Sequence, residues 1–299
     1  MAPSVNLSSL QNILSQKLNT QISSVQLIPI GGGSINKTYK IIINKNHFFF
    51  CKINSAKKFP SLFIKEKNGL ELLAMQNIIR TPKIIACAEF ENDQILILEW
   101  IEQGLKTKLF WQNFGKQLAA LHQISSSNRD RQTKFGLKEN NYMGALHQSN
   151  TFSDNWIDFF IHQRLQPQIK LAIDNRLLSK QHISHFEKLY LKLPEIFPVE
   201  KPSLLHGDLW SGNFLADEKE QPALVDPAIY FGHRSMDLAM TTLFGGFDQS
   251  FYESYHYYFH FPDNYKLQWE ICNLYPLLIH LNLFGSGYLH DIVSTIHRY

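Results

Sequence analysis

The sequence predicts an α+β chain in two lobes, a small β-rich one followed by a larger, mainly helical one. Three observations carry this reading. Up to Trp100, short segments rich in Ile, Val and Phe are separated by turn residues. From Leu109 onward, apolar residues recur at helical spacing instead. Between the two, Glu102-Gln103-Gly104 interrupts both patterns and divides the chain into residues 1–101 and 102–299.

Leu7, Leu10, Leu14 and Leu18 open the chain with a short amphipathic helix. Val25 to Ile30 reads as a strand that leads into Gly31-Gly32-Gly33-Ser34-Ile35-Asn36, and Thr38 to Ile43 as a second strand. Asn44-Lys45-Asn46 supplies a turn into a third, His47 to Ile53. Ser61 to Gln76 has helical periodicity. Cys87 to Phe90 and Ile95 to Trp100 are two further strands, joined at Asn92-Asp93. Beyond the connector, Leu109, Phe110, Phe114, Leu118 and Leu121 mark a helix. Helical spacing dominates from there, apart from a short β-like region around residues 203–226.

A length of 299 residues supplies ample core for this arrangement. Lys and Arg exceed Asp and Glu by only three and form no basic block, which argues against nucleic acid as a partner. A mildly positive chain suits an anionic cosubstrate. Cys51, Cys87 and Cys272 are far apart and in apolar contexts, so they read as core residues of a reducing compartment. The longest apolar stretch, Leu274 to Phe284, is short and interrupted by His280 and Asn282, which predicts no membrane span. No signal peptide is recognisable, and a cytoplasmic location is expected.

The chemistry is concentrated in His206-Gly207-Asp208-Leu209-Trp210-Ser211-Gly212-Asn213, followed by Asp226-Pro227-Ala228 behind the apolar run Pro222-Ala223-Leu224-Val225. Asp-x-x-x-x-Asn with a second Asp is the residue set that kinase-type phosphoryl transfer needs. Asp208 is the candidate base or orienting group for the acceptor hydroxyl. Asn213 and Asp226 offer oxygen ligands to Mg2+ on the phosphates of ATP. With the two lobes, this predicts a bilobal protein-kinase-like fold.

Other residues complete the set. Gly31, Gly32, Gly33 and Ser34 lie between two β segments, where backbone N–H groups can cover phosphates. They do not open a helix and lack the Gly-Lys-Ser/Thr of a P-loop. Lys52 ends an apolar strand, and Glu66 shares a helix face with Phe63, Leu70 and Leu73. A carboxylate aimed at apolar packing needs a partner, and Lys52 is the natural one. Glu99 and Ile101 bound a connector that either presents its backbone to the adenine edge or is an ordinary strand end. His206 reads as a structural hydrogen-bonding residue, and Asp237 as a brace for the loop or a helix cap. His256 and His260, at i and i+4, are weak metal candidates; His182 and His185 are weaker.

Departures from a protein kinase narrow the acceptor. Gly207 stands where protein kinases place an Arg that pairs with a phosphorylated activation loop. Pro227 limits local flipping after Asp226. Ten residues between Asp226 and Asp237 leave no room for a peptide platform. A small or side-chain-sized acceptor and constitutive activity are expected.

At these residues the sequence resembles the fructosamine kinase (ketosamine 3-kinase) family, relatives of aminoglycoside and choline phosphotransferases. The likeness covers nearly the whole chain. It is most specific at Trp210-Ser211-Gly212-Asn213 and Leu243-Phe244-Gly245-Gly246-Phe247, and continues through Ile229-Tyr230-Phe231-Gly232-His233-Arg234 and Leu281-Asn282-Leu283-Phe284-Gly285. The resemblance implies ATP-dependent phosphorylation of the sugar 3-hydroxyl of a ketosamine, either a small molecule or a glycated protein side chain. Breakdown of the unstable product then frees the amine. Bacterial-type members favour ribulosamine or erythrulosamine over fructosamine. The resemblance gives Lys52, Glu66, Asp208, Asn213 and Asp226 the roles above. It sets Trp210 beside the sugar or in the core; His280 and Asn282, polar residues in an apolar helix, are candidates for the acceptor side or else ordinary helix residues. Ser235 departs from the Glu of many members, and the glycine loop lacks the cysteine of some eukaryotic ones. The alternatives are a phosphotransferase for another small hydroxyl compound and a non-catalytic nucleotide-binding protein.

Overall fold

Alternation of inward and outward residues builds the N-terminal part around one antiparallel sheet. The computed structural model describes residues 7–31, 35–90, 92–124 and 134–299. Helix α1 (Leu7–Leu18) precedes strands β1 (Val25–Ile30), β2 (Lys37–Ile43) and β3 (His47–Ser55). Helix α2 (Leu62–Ala74) and strands β4 (Ile84–Phe90) and β5 (Asp93–Glu99) follow. The strand order is β1-β2-β3-β5-β4, with every neighbouring pair antiparallel. One face packs Ile41, Cys51, Ile53, Ile95 and Ile97 against Leu10 and Leu14 of α1. The other packs Leu96 and Leu98 against Leu62, Phe63 and Leu70 of α2. A sheet covered on both sides explains why β5 is apolar almost without alternation. The β2–β3 turn places Asn44 and Lys45 at φ 49° and 69°, which matches the strand twist.

Boundaries differ from expectation for local reasons. Strand β4 begins at Ile84 rather than Cys87, because an irregularity between Ile84 and Ala86 lets it pair with Leu98. Strand β5 begins at Asp93, paired with both Phe90 and Ser55, and ends at Glu99. Helix α2 starts at Leu62 because Ser61, at φ 59°, is left-handed. Buried Gln94 replaces a cap there: it accepts from Phe63 N (3.1 Å) and donates to Phe59 O (2.6 Å).

The larger C-terminal part is helical and packs around one core. It begins with α3 (Lys108–His122), whose Thr107 cap accepts from Phe110 N. Phe110, Phe114, Leu118 and Leu121 are buried as their spacing requires, whereas Leu109 falls off that face and is exposed. A hairpin, β6 (Asn141–Met143) and β7 (Leu146–Gln148), follows, then α4 (Trp156–Phe159), a π-helical turn (Phe160–Leu165), α5 (Gln166–Asp174) and α6 (Gln181–Ile196). Strands β8 (Ser203–Leu205), β9 (Phe214–Ala216), β10 (Pro222–Leu224) and β11 (Tyr230–Gly232) pair as β8–β11 and β9–β10. Helices α7 (Ser235–Leu243), α8 (Gln249–Tyr258), α9 (Tyr265–Phe284) and α10 (Leu289–Ile296) complete the chain. The β6–β7 hairpin lies outside the one β-like region expected here, because three-residue strands are too short to show a period of two. All three cysteines are free, with Cys51 and Cys272 buried and Cys87 half-buried. No helix among the described residues is long and apolar enough to cross a membrane.

The two parts are stapled behind the connector. Arg80 bridges Glu99 at the end of β5 (2.7 Å) and Asp217 beyond β9 (2.5 Å). Its backbone carbonyl accepts from Leu224 N (2.8 Å), and Gly104 N donates to Ala216 O (2.8 Å). Arg80→Ala leaves Asp217, 4% exposed, without its cation. We expect a loss of about 1–3 kcal/mol in urea unfolding, with the midpoint shifted and the slope unchanged.

Candidate active site

Strand alternation decides where Lys52 points. Cys51 and Ile53 face α1, so Lys52, like Phe50, faces α2. Glu66 lies one turn beyond Phe63 on the buried face of α2, and Lys52 Nζ stands 2.7 Å from Glu66 Oε1. The same ammonium contacts Asp226 Oδ1. Burial alone would lower the Lys52 pKa, but the charges of Asp226 and Glu66 reverse this and hold it above its ordinary value. Burial lifts Glu66 to about 7 against the pull of Lys52, with Asp226 adding repulsion. One cation shared by two carboxylates joins the sheet, α2 and the segment after β10.

The loop from β8 to β9 is held by its backbone. Asp237, 1% exposed, accepts from His206 N (2.7 Å) and Gly207 N (2.8 Å), and His122 Nε2 lies 3.2 Å away. It occupies the first turn of α7 without capping it, so the brace is the role the structure gives it. Burial keeps His206 below its usual pKa and therefore neutral. Its Nδ1 accepts from Asp208 N (3.3 Å), so the ring proton sits on Nε2 and donates to Val225 O (2.9 Å). Gly207 is at φ 83°, and a Cβ there would meet Ala228 O at 2.1 Å. No arginine fits this position.

Asp208 and Asn213 form a local pair: Asn213 Nδ2 donates to Asp208 O (2.8 Å) and Oδ2 (2.9 Å). Burial, then repulsion from Asp226, pushes the Asp208 carboxyl up to about 7, although Asn213 opposes this. Asp226 follows β10 at φ 56°, a conformation unfavourable for a residue with a side chain and maintained by its surroundings. Asn213 Oδ1 and the Asp226 carboxylate form a hard oxygen set, one charged and one neutral, suited to Mg2+ with phosphate and water as further ligands. Among the described residues no three His, Cys, Asp or Glu form a metal cluster, so a cation here would need such outside ligands.

Lys52, Asp208, Asn213 and Asp226 line one cleft of about 440 Å³. Asp226 also borders an adjoining cavity of about 290 Å³ walled by Leu98, Leu215 and Val225, together with Gly31, Glu99 and Ile101. The Glu99 side chain is engaged by Arg80 (2.7 Å), and its backbone N–H donates to Lys83 O (2.8 Å). A larger groove of about 690 Å³ between α8 and α9 contains none of these residues. Gly32, Gly33 and Ser34 lie outside the described residues. Trp210 packs its edge on Phe244 (5.8 Å) and lines the cleft, as does His280, whose Nδ1 is 2.7 Å from Pro276 O. Asn282 turns away: its amide donates to Gln168 O and Oε1 (3.0 Å each), so it joins α9 to α5 and does not face an acceptor. His256 and His260 meet edge to face (ring centroids 4.9 Å apart), and no third ligand joins them among the described residues. Sequence reasoning missed Arg80, Arg164 and Tyr142. Only Arg164 carried a signal, a basic residue within an apolar aromatic run.

Removing the Asp237 carboxylate strands one buried and one partly buried N–H group and releases the loop. Asp237→Ala should lower stability by about 2–4 kcal/mol in urea unfolding.

Residues 7–299 match the sequence family described as fructosamine kinase. A Synechocystis sp. protein provisionally named a ketoamine kinase is 36% identical over 264 residues, 87% of this chain and 85% of its own length. An Arabidopsis thaliana protein-ribulosamine 3-kinase is 33% identical over 294 residues, 96% of this chain and 86% of its own. The crystal structure of a Thermobifida fusca protein provisionally named a fructosamine-3-kinase superposes with a TM-score of 0.84 at 26% identity, covering 98% of each chain. With its length matched from first helix to last residue, the chain belongs to the fructosamine kinase family.

Proposed function

We propose that this protein is an ATP-dependent kinase that phosphorylates the sugar 3-hydroxyl of ketosamines, with ribulosamine, erythrulosamine and fructosamine as the candidate sugars. The observation that carries the reading is the convergence of Lys52, Asp208, Asn213 and Asp226 on one cleft in a member of this family. Residues 1–101 form the nucleotide-holding lobe and residues 102–299 the acceptor lobe. The adenine enters the 290 Å³ cavity against Leu98, Leu215 and Val225, with the Glu99 and Ile101 backbone at its edge. Gly31 to Ser34 cover the phosphates, and Lys52 neutralises the α- and β-phosphates while Glu66 holds it in place. Asn213 and Asp226 would hold Mg2+, which would supply positive charge against that of the transferring phosphoryl group.

Asp208 acts on the acceptor. As a carboxylate it accepts the hydrogen bond of the sugar hydroxyl, aligns the oxygen with the γ-phosphorus, and takes the proton as the O–P bond forms. The bond from the γ-phosphorus to the bridging oxygen breaks, and ADP leaves. The phosphorylated ketosamine then fragments to release the amine, a deglycation step. A cleft lined by Trp210 and His280 accommodates a sugar on a free amine or on a lysine side chain. Three free thiols agree with a reducing, cytoplasmic setting.

A panel of ribulosamine, fructosamine, choline and an aminoglycoside with ATP, read by mass spectrometry, tests the acceptor class. Turnover of choline or aminoglycoside alone would replace the reading. Asp208→Asn should keep nucleotide affinity within about 3-fold and lose about 10²–10⁴-fold in kcat; near-normal turnover would remove Asp208 from its role. Because the free-enzyme carboxyl titrates upward at about 7, kcat/KM should fall as pH drops below 7 and level off above it. Bound cations favour the carboxylate, so the acid limb of kcat should lie at lower pH.

A further inference from the structure

The β6–β7 hairpin touches both halves of the catalytic assembly. At its root, Asn141 Nδ2 donates to Ile229 O (2.8 Å) and Gln148 Nε2 to Ala228 O (3.0 Å), on the segment that carries Asp226. Asn141 Oδ1 accepts from Gln148 (2.8 Å) and from Asn150 (2.9 Å). Asn150 Oδ1 in turn accepts from Arg164 Nη2 (2.8 Å), and Tyr275 donates to Gln148 Oε1 (2.8 Å). All four amide and guanidinium side chains are buried. Arg164 belongs to no ion pair among the described residues; its charge rests on carbonyl oxygens and on the Tyr230 ring, 3.9 Å from its guanidinium carbon. A buried polar network of this kind is rigid, because each displacement orphans a group that water cannot reach.

At its other end the hairpin meets α2. Tyr142 OH donates to Pro60 O (3.1 Å) just ahead of the helix, and Tyr142 and Ala145 pack on the cluster containing Leu62, Phe63 and Leu70. Lys65 of α2 pairs with Glu139 at the hairpin's entry (2.6 Å). The third side is closed directly: a Cβ on Gly69 would lie 3.3 Å from the Pro227 ring, so α2 sits against the Asp226 segment with no room to spare.

We propose that the β6–β7 hairpin is a strut that holds α2 at a set distance from the Asp226 segment and so keeps Glu66 on Lys52. It does what an ordered activation segment does elsewhere, without a switch. Gln148 and Tyr142 are positioning residues in this scheme, which rests on the phosphotransferase reading above. Gln148 is the sharper probe, being buried and outside the cleft, whereas Tyr142 also lines it.

The experiment uses the full chain with Gln148→Met and Tyr142→Phe. Hydrogen exchange, binding of Mn2+ with a non-hydrolysable ATP analogue, and steady-state kinetics are measured. In Gln148→Met, α2 amides should exchange about 10-fold faster while those of β2 and β3 hold. Analogue affinity should weaken about 5-fold and kcat fall about 10-fold, with acceptor KM within about 2-fold. Tyr142→Phe, which keeps every packed atom, should move the same quantities about 3-fold and covers the case in which Gln148→Met does not fold. Unchanged α2 exchange in the folded variants, or a change in acceptor KM alone, would overturn the strut. Failure of the wild-type chain to bind the metal–nucleotide pair would instead remove the phosphotransferase reading, and the exchange data would still decide whether the hairpin holds α2.

Discussion

A single buried ammonium organises this protein. Lys52 comes from the sheet, Glu66 from the helix behind it and Asp226 from the far side of the cleft, and all three meet at one nitrogen. Neither Lys52 nor Glu66 is stable alone in such a place, since burying a carboxylate or an ammonium without a partner costs several kcal/mol, whereas Asp226 keeps part of its side chain open to the cleft. The cost is met only when strand, helix and segment are all in register. The ion cluster therefore contributes more to specifying one arrangement of the two parts than to net stability.

The surrounding architecture keeps that arrangement from drifting. Arg80 ties the connector side to β9–β10, Asp237 clamps the loop by its N–H groups, and the amide network under the hairpin grips Ala228 and Ile229. Asp237 and the amide network hold backbone rather than side-chain tips, which suits a site whose chemistry is mostly positioning and charge neutralisation.

Much of the site was legible along the chain because its residues have no better use elsewhere. A glutamate on the apolar face of a helix demands a cation, and Lys52, at the end of an apolar strand, is the natural one. Asp208, Asn213 and Asp226 announce themselves by spacing and by the turn residues around them. The hairpin was not legible, since three-residue strands carry no periodicity, and Tyr142 looks like any tyrosine. Asn282 misled for a related reason: a polar residue in an apolar helix can face a cleft or a neighbouring helix, and its partner Gln168 is 114 residues away.

From sequence alone, local patterns determined the two-part α+β fold, the family likeness and the identity of the charged residues in the cleft. Those features depend on periods of two and 3.6 residues and on short spacings, which the chain records directly. Only tertiary structure decided which groups share Lys52, why Gly207 admits no side chain, and what holds α2 in place. Each of these depends on contacts between residues far apart in the chain, where a shift of an ångström changes the partner and leaves no trace in the order of amino acids.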